Sequence, residues 1–300
     1  MPLPNRVLFA RMLLRMLAWL PLPLLHAVGH LTGTWLALRP NKYRRTARIN
    51  LELCFPQLSG AERKRLLRQS LRETAKGLLE VAAFWHWSPQ RLDRLVTEVR
   101  DGHLLYDPVA RRSGVIVAVP HLGAWELLPA YFSRRIPLHS LYQPPRKSEF
   151  DPLLRGARER LGGQSYPANA AGIRSLYKAL SRGEVAAILP DQEPDGEGEY
   201  APFFGVAAKT MTLLPKLAQR SGATVVYAYA IRLSWGRGYS IRFLPAPPGI
   251  DQDDPQLAAG VMNAGIERCV REAPAQYQWS YTRFRRQPDG AANPYKRQPL

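Results

Sequence analysis

Apolar residues recur along this chain in two rhythms. Residues 115–119, Val-Ile-Val-Ala-Val, form an unbroken apolar run that predicts a short strand covered on both faces. Further strands are expected over 97–100, 138–142 and 185–189, with a hairpin formed by 223–232 and 239–244. Helical spacing lies between and around them. Ser59-Gly-Ala-Glu62 is a capping box that opens a helix running toward Trp87, and Ser88-Pro89 opens another with proline in its first turn. Helices are also expected near 122–134, 149–161 and 212–220, the last closed by Gly222, and over 256–272, stopping at Pro274. Strands alternating with helices predict an α/β fold, a mixed central sheet with helices on both faces.

The first 50 residues follow another pattern. They carry eight Lys or Arg and no acidic residue, around an uncharged run from Met16 to Leu38 that is long enough to cross a bilayer. Pro21, Pro23, Gly29 and Gly33 interrupt that run, so a broken helix lying in a membrane interface is expected rather than a straight span. Cations flank it on both sides, with Arg6, Arg11 and Arg15 before and Arg39, Lys42, Arg44, Arg45 and Arg48 after, which favours the cytoplasmic face. The expected organisation is a membrane-anchoring segment over 1–50 and one domain over 51–300, with 51–96 a helical lead-in to the α/β core at 97–300.

Composition narrows the partners. A 300-residue chain buries roughly 75% of its unfolded surface, enough for one large core. The net charge of +18 attracts polyanions, whether nucleic acid, anionic lipid or an acidic protein. The chain has no helix-turn-helix signature, zinc finger or RNA-binding aromatic motif, so nucleic acid is not the expected partner. Cys54 and Cys269 stand far apart without a Cys-x-x-Cys, giving neither a disulfide framework nor a zinc site, and the lack of a Walker loop argues against a nucleotide. No metal or cofactor is expected.

Candidate chemistry lies where the run 115–119 ends, in Val-Pro-His121-Leu-Gly-Ala-Trp-Glu126. On one continuous helix, side chains five apart point ~140° away from each other. With Pro120 and Gly123 breaking the chain, His121 is instead expected in a loop and Glu126 in the first helical turn, where the two side chains would converge. A neutral imidazole oriented by a carboxylate takes the proton of a hydroxyl that attacks a carbonyl. No Gly-x-Ser-x-Gly elbow is present, so the hydroxyl would belong to the substrate. The residues alone leave a second reading, in which His121 closes a strand end and Glu126 only complements a helix dipole. Asp191 and Gln192 follow the 185–189 strand and fall, with residues 142–146, at the carboxyl ends of strands, where ligands gather. Asp191 is expected to orient a basic partner or a hydroxyl, or to cap backbone amides. Arg155, Arg158 and Arg160 on the neighbouring helix are candidates for lipid phosphates.

His121-Leu-Gly-Ala-Trp-Glu126 resembles the His-x-Gly-x-Trp-Glu signature of the lipid A late acyltransferases, which use a His-x4-Asp/Glu motif. Leu189-Pro-Asp-Gln192, Pro202-Phe-Phe-Gly205, Thr210, Ser221-Gly-Ala223, Asn263, Ile266-Glu267 and the stretch from Ala273 through Trp279 to Arg285 recur in that family's order. The resemblance covers nearly the whole chain. It implies transfer of a fatty acyl chain from a thioester, on acyl carrier protein, to a hydroxyl of a phosphorylated lipid A precursor at the inner membrane. It also implies His121 as general base and Glu126 as its orienting partner. Two departures stand out: Ala124 replaces a common Asn, and Tyr142-Gln-Pro-Pro-Arg146 replaces a common Tyr-Arg-Pro, so Arg146 is the candidate for that arginine's role.

Overall fold

The structure, a computed structural model, describes residues 5–145 and 147–296. Helix α1 (Asn5–Trp19) and helix α2 (Leu22–Leu38) meet at a bend of 117°, where Pro21 caps α2 without a side-chain hydrogen bond. Among the described residues no single helix is long and apolar enough to cross a membrane, although the bent pair qualifies together by length and composition. Pro21 therefore breaks the run as expected, whereas Pro23 sits in the first turn of α2, and Gly29 and Gly33, also expected to interrupt it, lie inside the continuous helix. On α2 the buried residues Leu22, Leu25, His26, Gly29, Gly33 and Ala37 recur every three or four positions, which puts them on one stripe. That stripe packs on α4 (Gly60–His86), and the approach is close. A Cβ on Gly29 would lie 2.7 Å from the Lys76 Cα, and one on Gly33 2.3 Å from the Arg72 Cα. Between them comes α3 (Lys42–Cys54), capped by Asn41; α4 carries the Ser59/Glu62 capping box, and α5 (Pro89–Asp93) is capped by Ser88.

The core then alternates β1 (Val96–Arg100), α6 (His103–Ala110), β2 (Val115–Ala118), α7 (Leu127–Phe132), β3 (Leu138–Tyr142), α8 (Asp151–Glu159), β4 (Gln164–Pro167), α9 (Ala170–Ser181) and β5 (Val185–Ile188). A hairpin of β6 (Glu199–Phe203) and β7 (Val206–Thr210) follows, then α10 (Leu213–Ser221), β8 (Thr224–Arg232), β9 (Tyr239–Pro245) and α11 (Pro255–Glu272). Seven strands form one sheet in the order β1-β9-β8-β2-β5-β3-β4, in which only the β8–β9 pair is antiparallel. The α/β fold with a mixed sheet is thus as its patterning implies.

Period-two alternation sends β2 into two cores. Ile116 and Ala118 join Leu176, Leu217 and Ile266 on one face; Val115 and Val117 join Phe84, Leu105 and Leu127 on the other. Helices cover both faces, and for that reason β2 and β5 are buried at every position.

Four features escape the hydrophobic pattern. α6 is short and contains Pro108, β4 is a four-residue strand at the sheet edge, and α9 and the β6–β7 hairpin lie outside the expected elements. The helix expected near 122–134 is shorter, because residues 122 and 123 make bridges to Tyr277 and Ala230 and so leave the helix to begin at Leu127.

Candidate active site

The loop after β2 is held from two directions. Gly123 lies at φ 62°, and a Cβ there would sit 2.0 Å from the Ala230 carbonyl oxygen of β8, so only glycine fits. The Gly123 N–H donates to the Gln276 carbonyl at 3.0 Å, the Ala124 N–H to the Ala230 carbonyl at 2.8 Å, and the Gln278 N–H to the His121 carbonyl at 3.1 Å. His121 is thereby presented on a rigid support at the carboxyl end of the sheet.

Its carboxylate partner is Asp191. Nδ1 of His121 lies 2.8 Å from Asp191 Oδ1, and the His121 backbone N–H donates to Oδ2 at 2.9 Å. Register explains the meeting: Ala118 pairs with Ile188 on the parallel strands β2 and β5, and each side chain stands three residues further on. Burial opposes charge on Asp191, but the imidazole and the His121 amide outweigh it and hold the carboxyl below its ordinary range. An ionised carboxylate selects the tautomer with hydrogen on Nδ1, leaving the lone pair on Nε2. That atom lies 3.2 Å from the Gln192 side-chain amide nitrogen, which also donates to Gln278 Oε1 at 3.0 Å. The Trp125 ring lies against the imidazole, with centroids 5.3 Å apart.

The expected pairing of His121 with Glu126 is therefore corrected. Glu126 stands at the cap of α7, before its first turn, and is engaged by Arg158 of α8, with the guanidinium Nε 3.3 Å from Oε2, and by the Trp85 indole N–H at 3.3 Å. The bridges at residues 122 and 123 remove the helical turn on which the convergence depended.

The other arginines separate. Two residues apart on a helix, Arg158 and Arg160 point about 200° from one another. Arg160 accordingly donates to the Phe84 and Trp87 carbonyls, closing the end of α4, and is not at the site. Arg155 pairs with Glu159 on its own helix. Arg146 lies outside the described residues. Tyr142 donates its hydroxyl to Asp151.

Glu126 and Arg158 also line a narrow cavity of about 30 Å³, walled by Val117, Leu128, Phe132, Leu138 and Leu189. An apolar slot thus lies beside an ion pair and next to Trp125, which lines the same cavity and sits tilted against the His121 ring.

Comparison with known proteins decides what this site belongs to. The family model described as bacterial lipid A biosynthesis acyltransferase matches residues 5–286. This chain belongs to the bacterial lipid A biosynthesis acyltransferases. The lipid A biosynthesis lauroyltransferase of Escherichia coli (strain K12) is 32% identical over 279 residues, covering 92% of this chain and 90% of the relative. The palmitoleoyltransferase of the same organism is 31% identical over 280 residues, covering 92% and 90%. Its myristoyltransferase is 26% identical over 260 residues, covering 86% and 80%. The acyltransferase accordingly works on an acyl donor and a lipid A precursor.

Several motif residues of this acyltransferase turn out to hold the fold. Phe204 and Gly205, at φ 50° and 77°, form the two-residue turn of the β6–β7 hairpin, and the Phe204 N–H donates to Glu267 of α11 at 2.6 Å. Asn263 donates to the Pro202 carbonyl and to Thr210 Oγ1, which also accepts from Arg283 at 2.8 Å. Phe203, Phe204 and Trp279 are core residues rather than an exposed acyl surface. Buried Glu193 collects Arg285 and the Arg286 N–H. Trp85 and Gln278 are the site residues that sequence reading missed. Trp85 lies in the long helix α4 with nothing local to single it out. Asp191 had a readable signal for its true partner: both strands end in an apolar residue, proline and then the polar residue, Val119-Pro-His121 and Leu189-Pro-Asp191.

Proposed function

We propose that this lipid A acyltransferase moves a fatty acyl chain directly from an acyl carrier protein thioester to a hydroxyl of a phosphorylated lipid A precursor, with His121 as general base and Asp191 as its orienting partner. Nε2 takes the hydroxyl proton as the oxygen attacks the thioester carbonyl; Gln192 must give up that position to the hydroxyl. The tetrahedral intermediate expels the thiolate, which recovers the proton from the imidazolium. Asp191 stabilises the imidazolium while it exists. Arg158, held by Glu126, supplies the cation for the developing oxyanion, and the apolar slot beside it receives the acyl chain. At about 30 Å³ that slot holds little more than a water, so its walls must part for an alkyl chain. Residues 1–50 anchor the enzyme in the inner membrane from the cytoplasmic side, and 51–300 form the acyltransferase domain.

The observation that carries this reading is the buried Asp191 carboxylate on Nδ1, which leaves Nε2 as the acceptor atom. It is tested with purified enzyme, acyl-carrier donors of several chain lengths and a phosphorylated, under-acylated lipid A acceptor. His121→Ala is expected to lower transfer by at least ~10²-fold, the usual contribution of a general base. Full activity in the folded variant removes His121 from the reaction, and acyl transfer from free thioesters but never from the carrier removes the carrier.

A further inference from the structure

Trp235 is the most exposed large apolar side chain in the described residues, at 89%, and its backbone is left-handed at φ 61°. A bulky residue is strained in that region, where glycine or asparagine is comfortable. Neither packing nor backbone preference favours tryptophan here, and strain of this kind collects at functional positions.

Its place in the fold supplies the function. Trp235 sits in the turn between β8 and β9, closed by the Leu233 N–H donating to the Gly238 carbonyl at 2.9 Å. A Cβ on the next residue, Gly236, would lie 2.8 Å from the Pro23 Cα, so the turn rests directly on the first turn of α2. The face of α2 opposite its buried stripe is also apolar and open, with Leu24, Val28, Leu31, Trp35 and Leu38 all exposed. Leu31 and Trp235 stand on one cleft of about 640 Å³ whose other walls include the charged Glu73, Lys76 and Arg232, so the two elements share one surface of mixed apolar and charged character. Exposed Arg237 follows the tryptophan, and Trp19 stands 87% exposed at the α1–α2 bend. Tryptophan beside arginine on an apolar surface is the composition of a bilayer interface.

We infer that the β8–β9 turn is a second membrane contact, with Trp235 entering the headgroup and upper acyl region beside α2, so that the catalytic domain is fixed in tilt and not merely tethered. Because α2 packs directly on α4, the domain moves with the hairpin, and a hairpin lying alone in the interface still lets the whole molecule roll about the hairpin's own line. A contact from the turn that follows β8, the strand whose Ala230 carbonyl supports the His121 loop, removes that freedom. The inference rests on the reading of α1 and α2 as an interfacial anchor, and its test separates the two.

Cys54 and Cys269 are buried, so a single introduced cysteine in the full chain can carry an environment-sensitive fluorophore. Labels at Trp235→Cys, Leu31→Cys and Gln219→Cys are read on vesicles of phosphatidylethanolamine and phosphatidylglycerol containing a lipid-borne quencher. The expected result is a blue shift and quenching at 31 and 235 and neither at 219. Entry at 31 without entry at 235 overturns the inference and leaves the anchor standing; entry at neither overturns both. Trp235→Asn, which suits the left-handed backbone, is expected to keep or raise Tm while binding vesicles about tenfold more weakly, the loss of one buried aromatic. Its transfer rate should fall with acceptor presented in vesicles and stay within about twofold with acceptor dispersed in detergent. Equal losses in both settings would mark Trp235 as a structural residue and overturn the inference.

Discussion

Two buried carboxylates serve the loop that carries His121, and they differ in what they leave open. Glu80 of α4 binds Arg232 at the end of β8 through both oxygens, each at 2.6 Å, and also accepts from His26 of α2. Arg232 spends its remaining donors on Glu73 at 2.8 Å, the Gly123 carbonyl at 3.4 Å and Gln276. The charges of this cluster are matched to one another, so it ties α2, α4 and the loop into one unit. Asp191 binds His121 by ring and by backbone and also meets the buried Tyr277 hydroxyl, and beyond the ring Nε2 lies against the Gln192 amide, a contact that a hydroxyl can replace. The difference is the open acceptor atom, which the Glu80 cluster lacks and the His121 ring keeps. Burial alone does not separate the two, since both carboxylates are almost fully buried.

Breaking each cluster should therefore give different phenotypes. The largest effect belongs to the open one. Asp191→Asn loses the carboxylate that selects the tautomer and stabilises the imidazolium, and kcat should fall on the order of 10²–10⁴-fold in steady-state assays with KM for the donor little changed. Next comes Glu80→Gln, which strands Arg232 in the interior and should cost about 3–5 kcal/mol by denaturant titration, while the enzyme that remains folded keeps most of its kcat. Acid sharpens this. Burial raises the Glu80 carboxyl, but Arg232 and His26 more than reverse that and hold it at about 2, against 4.5 ordinarily. Because its folded value is depressed, Glu80 stabilises the protein fully above the ordinary carboxylate range, and that contribution is lost as pH falls from about 4.5 toward 2. Urea midpoints measured across that window should decline in the parent and decline less in Glu80→Gln. Glu126→Gln should act between the two classes, loosening Arg158 and slowing transfer by roughly tenfold without changing the state of His121. The smallest expected effect lies far from both clusters: Ser59→Ala removes the cap of α4 and should lower stability by about 1 kcal/mol with no change in kcat.

What the residues disclosed in advance follows from the range over which each feature is encoded. The Ser59 capping box, the proline break at 21–23, and strand β3 are local and stood where the pattern put them. The placement of His121 in a loop was local too, since Pro120 and Gly123 mark it. Its partner was not. Residues 121 and 191 meet because β2 and β5 run parallel in register, a fact of sheet topology that no spacing within 121–126 contains. Reading Glu126 as the partner applied a local rule to a long-range contact. The arginines teach the same lesson on one helix: composition could not tell Arg158, which meets Glu126, from Arg160, which closes α4, because the sequence does not say which face of α8 looks at the cleft.

The account turns on which carboxylate holds the imidazole, and ¹⁵N-histidine NMR of the folded enzyme reads this at the atom concerned. At neutral pH the His121 ring is predicted to carry its hydrogen on Nδ1, with a resonance that Asp191→Asn displaces and Glu126→Gln leaves in place. A ring protonated on Nε2, or one that responds to Glu126 and not to Asp191, would contradict it.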